Sequence, residues 1–174
     1  MENTMNAPQL PGKYEVRTDI TINTPVNTVW DALKDFGNVS DWAPSVTKSH
    51  YLNKKRNSVG TARHCDIKGF GSIQEYITDW QEGEGFSYSV TPLGPLDASN
   101  SSWWLTRIDD RRTKLEVVLS YDIRFGLFGK ILHKLVMRKK LEQSLPETLM
   151  ATKDHVEGRF KLTPAQAALA AVNG

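Results

Sequence analysis

One segment of two-residue alternation opens this chain. A short helical stretch follows, then six more alternating segments, and one long helical pattern closes the series. Parallel strands each need a crossover connection, so this order excludes a repeated β-α-β build. It leaves an antiparallel sheet with helix packed on one face. Strands are predicted at 14–22, 46–53, 61–68, 72–80, 85–91, 99–108 and 114–125. Turn residues separate them: Lys54-Lys55-Arg56-Asn57, Gly69-Phe70-Gly71, Glu82-Gly83-Glu84, Pro92-Leu93-Gly94-Pro95 and Asp109-Asp110. A single long helix laid on such a sheet leaves a wedge between the two, and the residues facing it can be read from strand alternation.

The first helix is predicted from Pro25, with Thr24 as its N-cap, to a stop at Gly37, and a second short turn from Val39 to Trp42. The long helix is predicted over 127–157. Ile131, Leu135, Leu145, Leu149 and Val156 form its apolar stripe, and Lys130, Lys134, Lys139, Lys140 and Lys153 face solvent. Pro146 should kink or break it, with Ser144 and Glu147 as a capping box. Residues 1–13 read as a flexible arm, 14–158 as one domain, and 159–174 as an Ala-rich tail able to add a helical turn or two after Thr163-Pro164.

A chain of 174 residues buries about 70% of its unfolded surface, enough for a core without staples. The net charge is only +2, whereas a nucleic-acid binder usually shows a larger basic excess, which argues against a nucleic-acid partner. Cys65 is the only cysteine, so there is no internal disulfide and no Cys-rich zinc site. His50, His64, His133 and His155 lack metal-ligand spacing, and no cofactor motif is present. No apolar run approaches the ~20 residues of a membrane span, and the first residues lack a signal-peptide core. The expectation is a cytoplasmic monomer or homodimer whose partner is a hydrophobic small molecule.

Several segments then carry a family likeness. Val59-Gly60-Thr61-Ala62-Arg63, Ile73-Gln74-Glu75-Tyr76-Ile77 and Phe86-Ser87-Tyr88 resemble the polyketide cyclase/dehydrase and lipid-transport family of the START-like (SRPBCC) superfamily, which also holds the birch pollen allergen. Pro25-Val26-Asn27-Thr28-Val29-Trp30 and Asn38-Val39-Ser40-Asp41-Trp42-Ala43-Pro44 resemble its first two helical segments. The resemblance implies an α+β helix-grip fold: a seven-stranded antiparallel sheet curled around a long C-terminal helix, with two short helices after the first strand and an apolar cavity inside. It implies no particular reaction, since the superfamily holds cyclases, carriers and receptors.

Within that frame, Ile73, Glu75 and Ile77 share a strand face, so Glu75 points inward with the isoleucines. A carboxylate there must be paired, and Arg63 one hairpin earlier is the partner. The resemblance implies that such an arginine can anchor a carbonyl or enolate oxygen, with Glu75 or Tyr88 moving a proton. Arg63, Glu75 and Tyr88 are therefore the candidate catalytic set. Trp42, Phe86, Trp104, Leu119, Tyr121, Met137 and Leu141 are the candidate ligand-binding set. Of the adjacent Trp103 and Trp104, strand phase favours Trp104 as the inward one. Three functions stay open: a cofactor-independent cyclase/dehydratase on a polyketide-like substrate, a non-catalytic carrier or sensor of a lipid, quinone or isoprenoid, and an interaction protein whose cavity is vestigial.

Overall fold

The computed structural model describes residues 7–158. The first six residues of the predicted arm and the predicted tail at 159–174 lie outside the described residues. Seven strands form one sheet: β1 (Tyr14–Ile22), β2 (Val46–Tyr51), β3 (Ala62–Ile67), β4 (Gly71–Gln81), β5 (Gly85–Val90), β6 (Leu96–Asp109) and β7 (Arg112–Ile123). Their spatial order is β1-β7-β6-β5-β4-β3-β2, antiparallel throughout. Only β1 sits out of chain sequence, because the two helical segments that follow it carry the chain to the far edge.

Those segments are α1 (Val26–Leu33) and a 3-10 stretch, Phe36–Asp41. Pro25, not Thr24, occupies the N-cap of α1, with no side-chain cap. The Thr24 carbonyl instead accepts a bond from Thr113 Oγ1 at 2.8 Å. Gly37 does not end the helical path. It lies inside the 3-10 stretch, where a Cβ would come within 2.2 Å of the Tyr51 ring. The close passage, not a helix stop, is what asks for glycine there.

The C-terminal helix starts at α2 (Gly126–Leu132), passes through a π turn (His133–Met137) and continues as α3 (Arg138–Val156). Pro146 sits inside α3 without breaking it, and Ser144 is helical rather than a cap. Both Pro146 and Glu142 are on the exposed side, so water can take the carbonyl that proline leaves without a donor. The irregularity lies more than two turns earlier than the sequence suggests. Gly129, His133 and Met137 are buried, at spacings of four. Four residues overshoot a 3.6-residue turn by about 40°, and the wider π turn takes up the excess. At Gly129 an added Cβ would stand 1.8 Å from the Arg124 carbonyl oxygen, so that turn packs backbone to backbone. Ile131 and Leu135, predicted to face the sheet, are 51% and 70% exposed.

On the helix side of the sheet, Ile22, Val29, Trp30, Phe36, Ile77, Phe86, Trp103, Leu115, Val117 and Leu149 make one core cluster. Each such side chain contributes roughly 1.5–3 kcal/mol by leaving water. The end of α3 is tied to the end of β1: Lys153 Nζ donates to the Thr21 carbonyl at 2.5 Å, and the Asn23 amide donates to Glu157 at 2.6 Å. On the opposite face a smaller cluster joins Ala7, Trp104 and Val118, with Leu10 against it. Ser120 Oγ donates to the Pro11 carbonyl at 2.8 Å. Over residues 7–12 the segment expected to be a free arm is thus held as a strap across the outer face. Among the described residues no helix is long and apolar enough to cross a membrane.

Candidate functional site

The helix is anchored against the sheet at Leu149 and beyond, and stands off where Met137, Leu141, Ser144 and Leu145 face β4–β7. The gap is a cavity of about 210 Å³. Room for one water is roughly 10–15 Å³, so this is more than a packing defect. Its sheet wall is built from Ile73, Glu75, Tyr88, Val90, Ser99, Ser101, Trp103 and Leu119, and its rim includes Phe70 and Leu93 from two hairpin turns.

Strand register explains how the polar residues meet. Arg63 and Glu75 are cross-strand partners in the β3–β4 pair, and Glu75 lies opposite Val90 in β4–β5. Ile77 lies opposite Tyr88, one inward position along. Arg63 is 7% exposed and Glu75 5%. Arg63 Nε donates to Glu75 Oε2 in a close contact, and Nη1 donates to the Phe36 carbonyl at 2.6 Å. The guanidinium carbon stands 3.7 Å from the Phe36 ring centre and 5.4 Å from that of Tyr88. Burial, the largest single influence, lowers the Arg63 pKa, but Glu75, Tyr88 and Cys65 together outweigh it and the net direction is upward. Arg63 is absent from the wall of the large cavity. It sits one layer behind Glu75 and fixes it.

Both bonds that Glu75 receives, from Arg63 and from Cys65 Sγ at 3.5 Å, fall on Oε2. Tyr88 is 7% exposed, and its oxygen accepts from Trp103 Nε1 at 3.3 Å, with the Ser101 hydroxyl also bonded to it. Burial pushes the Tyr88 phenol up to about 12, helped by the Glu75 charge and opposed by Arg63. Burial likewise pushes the Cys65 thiol up to about 12. The folded Tyr88 value lies above the ordinary phenol value of 10.0. Stability from the neutral phenol is therefore complete below pH ~10 and is lost as pH climbs through about 12. Urea melts across that range should show a steep alkaline loss that is shallower in Tyr88→Phe. An identical slope in the two proteins would show that the phenol is not held neutral.

The other candidates fall in different places. Leu119, Met137 and Leu141 line the cavity. Trp42 and Phe86 lie to one side with Arg63 and Trp103, around a space of about 10 Å³, and Trp42 packs edge-on to Trp103 at 5.9 Å. Tyr121 is fully buried on the helix side of β7 but does not reach the cavity wall. Its hydroxyl bonds His133 Nε2 at 2.7 Å, and its ring stacks on Tyr14 at 5.6 Å. Trp104 faces the outer strap, and Trp103 is the inward tryptophan. The usable signal was Leu105, which shares a face with Trp103 and belongs to the same core. Trp80 was missed as well. A bulge in β4 between Ile77 and Asp79 returns it inward, where it stacks on Phe86 at 5.7 Å.

Among the described residues no cluster of three or more His, Cys, Asp or Glu could hold a metal ion. The arrangement offers a carboxylate oxygen, a phenol and a few hydroxyls on an otherwise apolar wall. No curated protein matches the chain. Among solved structures, a protein from Thermus thermophilus is 17% identical, with a TM-score of 0.69, covering 85% of this chain and 100% of its own. The Zhui aromatase/cyclase from Streptomyces sp. R1128 is 16% identical, with a TM-score of 0.68, covering 85% and 96%. A START superfamily protein from Mycobacterium smegmatis is 16% identical, with a TM-score of 0.64, covering 83% and 97%. These likenesses show the helix-grip fold. The sequence profile described as polyketide cyclase / dehydrase and lipid transport matches residues 13–157, and the chain belongs to that family.

Proposed function

We propose that the protein binds a mainly apolar small molecule, aromatic or polyketide- or lipid-like, in the cavity between the sheet and the C-terminal helix. The observation that carries this reading is the cavity itself: about 210 Å³, walled by Trp103, Leu119, Met137 and Leu141, with Glu75 and Tyr88 converging on one side. A mostly apolar pocket with a few placed polar groups is the usual form of a small-molecule site. Tyr88 accepts from Trp103 Nε1, which leaves its own O–H able to turn to a ligand oxygen.

Ser144 lines the cavity from α3 and is only partly buried. Ser144→Phe places a ring in the space with little cost to the helix. Binding of the neutral fluorophore N-phenylnaphthylamine should fall at least about tenfold, with the thermal melt nearly unchanged. Unchanged fluorophore binding in a folded Ser144→Phe protein would sink the proposal.

A second reading is favoured by one observation, the presence of Glu75 and Tyr88 on the same wall. In cyclase/dehydratase chemistry Glu75 would take a proton from a carbon beside a ligand carbonyl. Tyr88, protonated at neutral pH, would hydrogen-bond that carbonyl oxygen as charge develops. Arg63 then acts by holding Glu75 rather than by touching the ligand. A carrier needs the same cavity and no proton transfer.

A further inference from the structure

Residues 124–140 carry six basic side chains, Arg124, Lys130, Lys134, Arg138, Lys139 and Lys140, and no carboxylate. Glu142, just beyond, takes up one of these charges through Arg138 at 2.7 Å. The same stretch is unusually apolar at its surface. Of the eleven exposed large apolar side chains among the described residues, six lie between 125 and 136: Phe125, Leu127, Phe128, Ile131, Leu135 and Val136. Leu127 is 75% exposed, and Phe128 and Leu135 are each 70% exposed. Scattered exposed leucines need no explanation, but a run of this density in one helix does.

The backbone adds a second observation. Phe125 adopts a left-handed φ of 70°, a region that bulky residues avoid unless held there. Its neighbour Arg124 holds the turn, donating from its amide to the Pro95 carbonyl at 2.9 Å and from Nε to the Gly94 carbonyl at 2.7 Å. The strained conformation does not bury the phenylalanine. The ring stays 59% exposed.

We propose that residues 124–140 are a docking face for an anionic membrane surface. The helix would lie in the plane of the headgroups with its aromatic and aliphatic side chains in the acyl boundary. Basic amphipathic helices bind in this way without spanning, and long lysine and arginine stems reach up to the phosphates. Charge decides between this occupant and a second copy of the chain. Two copies placed face to face would bring two clusters of cations together, whereas an anionic bilayer supplies the opposite charge and an apolar phase at once. The face also adjoins the cavity. Met137 and Leu141, on the sheet side of the same helix, line it, and Lys140 stands 4.7 Å from the ring of Phe70 on its rim. Docking is independent of what the cavity holds, and it can be measured with no ligand identified.

The full chain is tested by cosedimentation with vesicles of phosphatidylcholine alone and of phosphatidylcholine mixed with phosphatidylglycerol. Partitioning to the mixed vesicles should exceed that to the neutral ones by at least about tenfold and weaken as salt is raised. A basic residue near such a surface is worth roughly fivefold, so Lys130→Glu with Lys134→Glu should lose at least about thirtyfold. Leu127→Ser with Phe128→Ser should lose binding to a similar degree. All four positions are exposed, so the melts of both pairs should match the parent. Equal partitioning to the two vesicle types, no partitioning, or variants that bind like the parent would overturn the proposal. So would a dimer in sedimentation velocity that dissolves on Phe128→Ser without any vesicle binding, because that result gives the face to a second copy.

Discussion

Arg63→Met is expected to destabilise the protein by ~3–5 kcal/mol, because it leaves the Glu75 carboxylate buried without its counter-charge. For a chain of this size that lowers the melting temperature by roughly 10 °C. The Phe36 carbonyl loses its donor in the same step. Adding Glu75→Gln removes the stranded charge, so the double variant should regain most of the stability. Fluorophore binding should survive in the double variant, since the cavity wall keeps its shape. Turnover of a cyclase-type substrate would not survive, because glutamine accepts no proton, and this separates the catalytic reading from the carrier. An Arg63→Met protein that melts like the parent would refute the account of the pair.

Trp103→Ala and Trp104→Ala should each cost ~3–5 kcal/mol, since each truncates a large side chain that is 7% or 6% exposed. Their effects on binding should diverge. Trp103 forms part of the cavity wall and donates to Tyr88, so its loss opens the site and weakens fluorophore binding several-fold. Trp104 packs under the strap of residues 7–12 and should leave binding at the parental level. Equal losses of binding in the two variants would mean that the faces of β6 are assigned the wrong way round.

The strands were legible because alternation and turn residues are local signals. All seven appear within a few residues of their predicted ends, the largest shift being the earlier start of β6. The Arg63–Glu75 pair was legible for the same reason: one short hairpin joins their strands, and an inward carboxylate needs a cation. What the sequence hid depends on contacts between distant segments. The bond from Arg63 to the Phe36 carbonyl crosses 27 positions and moves the arginine from the cavity wall to a place behind it. In β6 the serines at 99, 101 and 102 fit either face, so the register with β5 and β7 sets which tryptophan turns inward. The helix was the largest misjudgement. A stripe drawn at a constant 3.6-residue pitch puts Ile131 and Leu135 inside. One π turn puts His133 and Met137 there instead, with His133 held by the Tyr121 hydroxyl. A single wide turn has no sequence signature of its own.

Among the described residues the cavity lining contains one carboxyl, Glu75, and no lysine, arginine or histidine. The buried arginine nearest to it is already neutralised by Glu75. A guest whose own carboxylate entered the wall region beside Glu75 would give up its hydration and meet a carboxylate there, with the Lys140 cation standing out at the rim beside Phe70. If the cavity is the binding site, its interior would act as a sign filter. On the proposed binding reading, fatty-acid and other organic anions should bind far more weakly than neutral ketones or esters, which can take a hydrogen bond from Tyr88, or phenols and alcohols, which can give one to Glu75.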